Sequence, residues 1–131
     1  MKKLLMISAL FGISGCVALP PVPTPPATPV FFQPFSAALD PSALSAIASV
    51  AKAAGEEPGA RVVVTGCADS VGSTQANRYL SETRAQMVVD ALVGDGVAPS
   101  RIRPIRVAQA RKDTGKPAQG ARRVLIQLAG G

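Results

Sequence analysis

Six prolines fall between positions 20 and 29: Pro20, Pro21, Pro23, Pro25, Pro26 and Pro29. Each fixes φ and lacks a backbone donor, so neither a helix nor a central strand can run through them. The stretch from Val17 to Pro29 is therefore predicted to be a tether. It would be extended as polyproline II at about 3.1 Å per residue, with a reach of roughly 40 Å. An alternative is that the prolines serve only against proteolysis. Whatever folds must lie beyond them, which leaves a single domain over 30–131. The chain has no Trp, four Phe and one Tyr, so Val, Leu, Ile and Ala must build the core.

Ahead of the prolines, Lys2 and Lys3 precede an apolar run from Leu4 to Ile13. That run is shorter than the about 20 residues a membrane-spanning helix needs, and it has the shape of a secretory signal. It ends in Ile13-Ser14-Gly15-Cys16, which resembles a bacterial lipobox with Ile in place of the usual Leu. The resemblance implies cleavage after residue 15 and acylation (the palmitate class of modification) of Cys16. Several acyl chains anchor stably, since each buried CH₂ adds about 0.8 kcal/mol. Val17, where an Asp would favour inner-membrane retention in enteric bacteria, directs the expectation to the outer membrane, with the domain facing the periplasm. A plain secretory signal with an incidental Cys is the simpler alternative.

The order of elements after the tether is β-α-β-α-β-β. Val30–Phe35 is a first strand, limited to a sheet edge or strand end by Pro34, with its Phe side chains sealing one edge of the core. Asp40-Pro41 starts a helix with Leu44, Ile47, Ala48 and Ala51 inward and Gly55 as its cap. Arg61–Gly66 is a β-branched run suited to a central strand buried on both faces. A second helix, capped by Ser73 or Thr74, runs to about Val93 and turns Leu80, Met87, Val88, Ala91 and Leu92 to the core. Ile102–Val107 is a third strand, 108–120 a polar loop, and Arg123–Leu128 the last strand. This order predicts an α/β (α+β) two-layer sandwich with two helices on one face of a mixed sheet.

Chemistry concentrates in Val64–Ala85. Asp69 lies in the loop where the strand stops. Asn77, Ser81 and Arg84 follow on one face of the helix at four- and three-residue spacings. An acid in a loop with an amide and a guanidinium on one stripe suits a zwitterionic ligand. A carboxylate fits the guanidinium fork, and an ammonium needs an anionic acceptor. Taken singly, each has a plainer role: Asp69 as a loop cap, Arg84 as a surface ion-pair partner, Asn77 as a helix-surface residue.

Gly66, Asp69, Gly72, Asn77, Leu80, Ser81, Arg84, Ala85 and Val88 stand at the spacings of one family motif. This stretch resembles the OmpA-like peptidoglycan-binding family, the C-terminal domain type of OmpA, Pal and MotB. Cys67 and Ala68 replace the family's usual His and Thr, and Ala121 replaces the Asn of its Asn-Arg-Arg-Val signature. The resemblance covers roughly 30–128 and implies the same fold. It also implies a non-catalytic module that binds the diaminopimelate of the wall's stem peptide. By position, Asp69 would take the ammonium and Arg84 the carboxylate; Asn77 would hold the loop or the ligand, and Arg122 would add a further contact.

The remaining composition excludes other classes. There is no His, so Cys67 has neither a metal partner set nor an activating base. No cofactor, metal or catalysis is expected, and Cys67 is expected to be buried and inert. From Arg101 to Arg123 the basic residues are Arg101, Arg103, Arg106, Arg111, Lys112, Lys116, Arg122 and Arg123, against Asp113 alone. Such a region attracts wall polymer, lipid headgroups or acidic protein, or is simply a solvated face. Nucleic acid is disfavoured by the export signal and the lack of aromatic platforms. The second function class is an assembly subunit of an envelope-spanning secretion or motor complex, using the same fold as a protein–protein interface.

Overall fold

A computed structural model describes residues 26–69, 72–109 and 122–130. The expected leader, the acylated Cys16, most of the tether and the bulk of the 108–120 loop lie outside the described residues. The elements are β1 (Thr28–Phe31), α1 (Pro41–Glu56), β2 (Arg61–Ala68), α2 (Thr74–Gly94), a 3₁₀ turn (Pro99–Arg101), β3 (Arg106–Gln109) and β4 (Arg123–Ala129). The sheet order is β1-β4-β2-β3. β4 is antiparallel to both β1 and β2, whereas β2 and β3 are parallel and joined by the α2 crossover. The sheet is thus mixed and two helices cover it, the architecture that the β-α-β-α-β-β order predicts. No helix among the described residues is long and apolar enough to cross a membrane.

The core lies between helices and sheet. Val30, Val62, Val64, Val124 and Ile126 face Ile47, Val88 and Leu92, all essentially without solvent contact. Alternation places Val63, Thr65, Leu125 and Gln127 on the other face, where they are half-buried. β2 is therefore central, as its β-branched run suggests, but one of its faces is only partly covered.

Both predicted helix starts are capped. Asp40 Oδ1 accepts from the Ala43 N–H at 2.7 Å, with Pro41 in the first turn. Ser73 Oγ accepts from the Ala76 N–H at 3.3 Å. Other expectations shift. β1 spans 28–31 rather than 30–35 and takes in Pro29, which its edge position allows because one side of an edge strand needs no donor. Of its phenylalanines only Phe32 enters the core; Phe31 and Phe35 are exposed. In α1 the buried line is Ala43, Ile47, Val50, Ala51 and Ala54, one step around from the predicted stripe, so Leu44 and Ala48 face solvent. The small alanines let the helix lie close to the sheet. The helix also passes through Gly55, and its cap is Glu57, whose N–H donates to Ala53. In α2 the inward line is Ser81, Arg84, Ala85, Val88 and Leu92, which turns Met87 outward.

The third strand starts later than predicted. Pro104 has no ladder donor, and Pro99–Arg101 forms a 3₁₀ turn, so Ile102 makes only an isolated bridge to Val62. Regular pairing begins at Arg106, opposite Thr65, and extends through Ala108 and Gln109, which were expected in the loop.

Candidate functional site

β1 and β2 run in the same direction, and β4 runs against both. The segment after β1, the end of β2 and the start of β4 therefore meet at one end of the sheet. The first turns of α2 complete the wall. They enclose a cavity of about 330 Å³ that Asp69, Asn77, Arg84 and Arg122 all line. The four residues singled out from sequence thus share one concavity. Pro34, Phe35, Cys67 and Leu80 line it as well.

The strand and the helix approach closely here. A Cβ on Gly66 would lie 2.5 Å from Ser81 Oγ and 2.7 Å from the Ser81 carbonyl oxygen. Only a glycine lets α2 pack this tightly on β2, and that contact sets the helix's distance from the loop carrying Asp69. Among the described residues, Ser81 Oγ is buried there without a hydrogen-bond partner. The Asn77 side-chain amide donates to the Asp69 carbonyl at 3.1 Å, tying the loop to the helix.

Arg84 is 4% exposed, far more buried than a surface ion-pair partner would be. Its Nε donates to the Ser36 carbonyl at 2.8 Å and its Nη2 to the Gln33 carbonyl at 3.0 Å. The head thus bonds to the segment after β1. Its Cζ lies 5.3 Å from the centroid of the Phe32 ring. Burial, and then the charge of Arg122, lower its pKa from the ordinary arginine value, yet the guanidinium stays cationic. Nη1 takes part in neither backbone bond, and two positive groups beside one carboxylate make the cavity cation-rich. An anionic group with a second, ammonium-bearing end meets complementary charge there.

Arg84 brackets a turn that the sequence reading missed. The Ser36 N–H donates to Gln33 at 3.2 Å, and Phe35 has φ +58°. Pro34 at the second position and a positive φ at the third define a type II turn, where glycine is the usual third residue. Phe35 occupies that place with 96% of its surface exposed, at the cavity wall. The Gln-Pro-Phe-Ser sequence signals the turn through its proline only; nothing in it announces a left-handed phenylalanine. Cys67 is buried and unpaired, as expected of a small apolar residue at a strand end. Among the described residues, no group of three His, Cys, Asp or Glu could hold a metal ion.

The profile of the OmpA family matches residues 31–124. Among characterised proteins, the probable lipoprotein YiaD of Escherichia coli K12 is 40% identical over 74 residues, 56% of this chain and 34% of its own length. Outer membrane protein A of Serratia marcescens is 48% identical over 54 residues, 41% of this chain and 15% of its own. The chain thus spans about a third or less of these relatives. The peptidoglycan-associated lipoprotein from Burkholderia pseudomallei superposes with a TM-score of 0.68 at 19% identity, covering 78% of this chain and 90% of that one. The C-terminal domain of Helicobacter pylori MotB gives 0.67 at 21% identity, over 79% and 84%. At such identities the likeness is one of fold.

Proposed function

Since the chain belongs to the OmpA family, we propose that it is a non-catalytic lipoprotein that ties the outer membrane, or a complex in it, to peptidoglycan. The ligand is the diaminopimelate of the stem peptide, whose free end carries a carboxylate and an ammonium. Arg84 grips the carboxylate through its remaining donors, with Arg122 beside it. Asp69 accepts the ammonium. Asn77 keeps Asp69 in place through the bond to its carbonyl. Cys16 carries the acyl anchor, and the proline-rich stretch over 16–29 spaces the domain from the membrane.

The observation that carries this reading is the shared cavity. Asp69 comes from the end of β2, Arg84 from α2 and Arg122 from the start of β4, and they line one concavity with both signs of charge. Cys67 and Ala68, in place of the family's His and Thr, remove two polar side chains beside Asp69. The remaining contacts then bear the recognition.

The test is calorimetric titration of the detergent-solubilised chain with a diaminopimelate-containing muropeptide, with a lysine-containing stem peptide as control. Saturable binding that prefers diaminopimelate is expected, weakening with salt. Asp69→Ala should abolish it with an unchanged circular dichroism spectrum. Arg84→Lys should weaken it while keeping the charge, because a lysine cannot bond two carbonyls and a ligand as the fork does. Retained binding in both variants would remove these residues from the site. A second reading, an assembly subunit of an envelope-spanning complex, is favoured by the partly covered sheet face, where Phe31 is 51% exposed. No muropeptide binding at millimolar ligand would turn the search to that role, by crosslinking in cells.

A further inference from the structure

The cavity of Asp69 and Arg84 sits where β2 ends. A second concavity, of about 690 Å³, lies on the β3 side of β2 and runs from Arg61 to the level of Thr65. Its walls carry Arg61, Arg103 and Arg106, with Ser100, Ile102 and Ile105 among the other lining residues. The three arginines come from three separate points of the backbone. Arg61 opens β2, and Arg106 opens β3 and pairs with Thr65. Arg103 is pinned between them by its N–H, which donates to the Val62 carbonyl at 2.9 Å.

The neighbouring Arg101 behaves differently. Its guanidinium is spent on the Ala60 carbonyl, at 3.1 and 2.8 Å, and on the Glu57 carbonyl at 2.7 Å. That fixes the backbone just before β2. By contrast, Arg61, Arg103 and Arg106 make no side-chain hydrogen bond or ion pair among the described residues, and no carboxylate lines their cavity. Three like charges around one concavity repel each other, and a multiply charged anion relieves that repulsion. Guanidinium forks match the oxygens of a phosphate, and several of them together exceed what a single carboxylate can accept.

We propose that this concavity is a phosphate-binding site, separate from the wall-ligand cavity. β1 is parallel to β2, so the chain leading in from residue 26 arrives at the end of the sheet where Arg61 lies, opposite Asp69. The site lies on the β3 edge of the sheet, and β1 forms the other edge. The ligand is a phosphate group, either in the headgroup of an anionic lipid or in a soluble anion. Only the lipid source rests on the anchored reading above; the site does not.

The experiment uses the full chain in nonionic detergent micelles and follows the arginine Nε–Hε resonances. One arm titrates pyrophosphate. The other dopes the micelles with phosphatidylglycerol, with phosphatidylcholine as the zwitterionic control. Saturable shifts of the signals from Arg61, Arg103 and Arg106 are expected. The Arg103→Gln/Arg106→Gln double variant should weaken binding roughly tenfold or more, the worth of one charge-assisted hydrogen bond. Both positions are exposed, so the fold is retained, and muropeptide binding should be unaffected. Arg78→Gln, an exposed arginine paired with Glu82 at 3.0 Å on α2, should change nothing. A response to phosphatidylglycerol beyond phosphatidylcholine supports the lipid source, and a response to pyrophosphate alone supports a soluble anion. Shifts in neither arm, or equal weakening by Arg78→Gln, overturn the site.

Discussion

Gly66→Ala tests the contact that sets the geometry of the whole candidate site. The added methyl would meet Ser81 Oγ at 2.5 Å and the Ser81 carbonyl oxygen at 2.7 Å, both well inside van der Waals contact. Inserting a methyl into a packed interior costs about 1–3 kcal/mol, and the upper part applies where backbone must move. Alanine's smaller unfolded-state freedom offsets less than about 1 kcal/mol. The net expectation is a loss of about 2 kcal/mol, or roughly 10 °C in Tm for a domain of this size. Ser81→Ala alone should be neutral or stabilising, because it deletes a buried hydroxyl that has no partner among the described residues. The double variant separates the two contacts. It removes the hydroxyl clash and leaves the carbonyl clash, so rescue should be partial. Urea and thermal denaturation of the four proteins, followed by circular dichroism, give the cycle. Gly66→Ala within about 0.5 kcal/mol of the parent would show that β2 and α2 are not held at this distance. Full rescue by Ser81→Ala would show that the backbone contact relaxes freely.

Two further outcomes follow from the same end of the molecule. Phe35→Gly should raise stability by about 1 kcal/mol in urea denaturation, since it removes the left-handed penalty of a side chain that is 96% exposed and packs on little; a loss would mean the turn is not strained. The Cys67 thiol, 7% exposed, should resist a thiol reagent until denaturant unfolds the domain, and rapid labelling of the native protein would contradict its burial.

Local signals in the sequence match the structure where the local chemistry decides. Asp40-Pro41 and Ser73 cap their helices because a short acceptor side chain before a helical run has one good use. The β-branched run at Val62–Val64 forms the central strand for a similar reason. The spacing of Asp69, Asn77 and Arg84 put them on one side of one helix and its loop, and the fold adds Arg122 to the same cavity. Periodicity misled where the buried face is polar. The inward line of α2 begins with Ser81 and Arg84, so apolar periodicity alone places Met87 on the wrong side. The partners of Arg84 lie 48 and 51 residues away, at Ser36 and Gln33, and no local pattern points to them. Pro104 delayed β3 because strand propensity counts side chains and a missing backbone donor overrides it.

The strand order also has a mechanical side. The chain leads into β1 at one end of the sheet, and the cavity lies at the other. On the proposed function, a pull between the proline-rich stretch and a ligand held in the cavity acts along the strands. The four register pairs of β1 with β4 then carry the load in shear, all together, instead of opening one after another like a zipper. An edge strand that takes in a proline would be a weak seam under peeling; under a lengthwise pull it becomes the anchor plate of the domain.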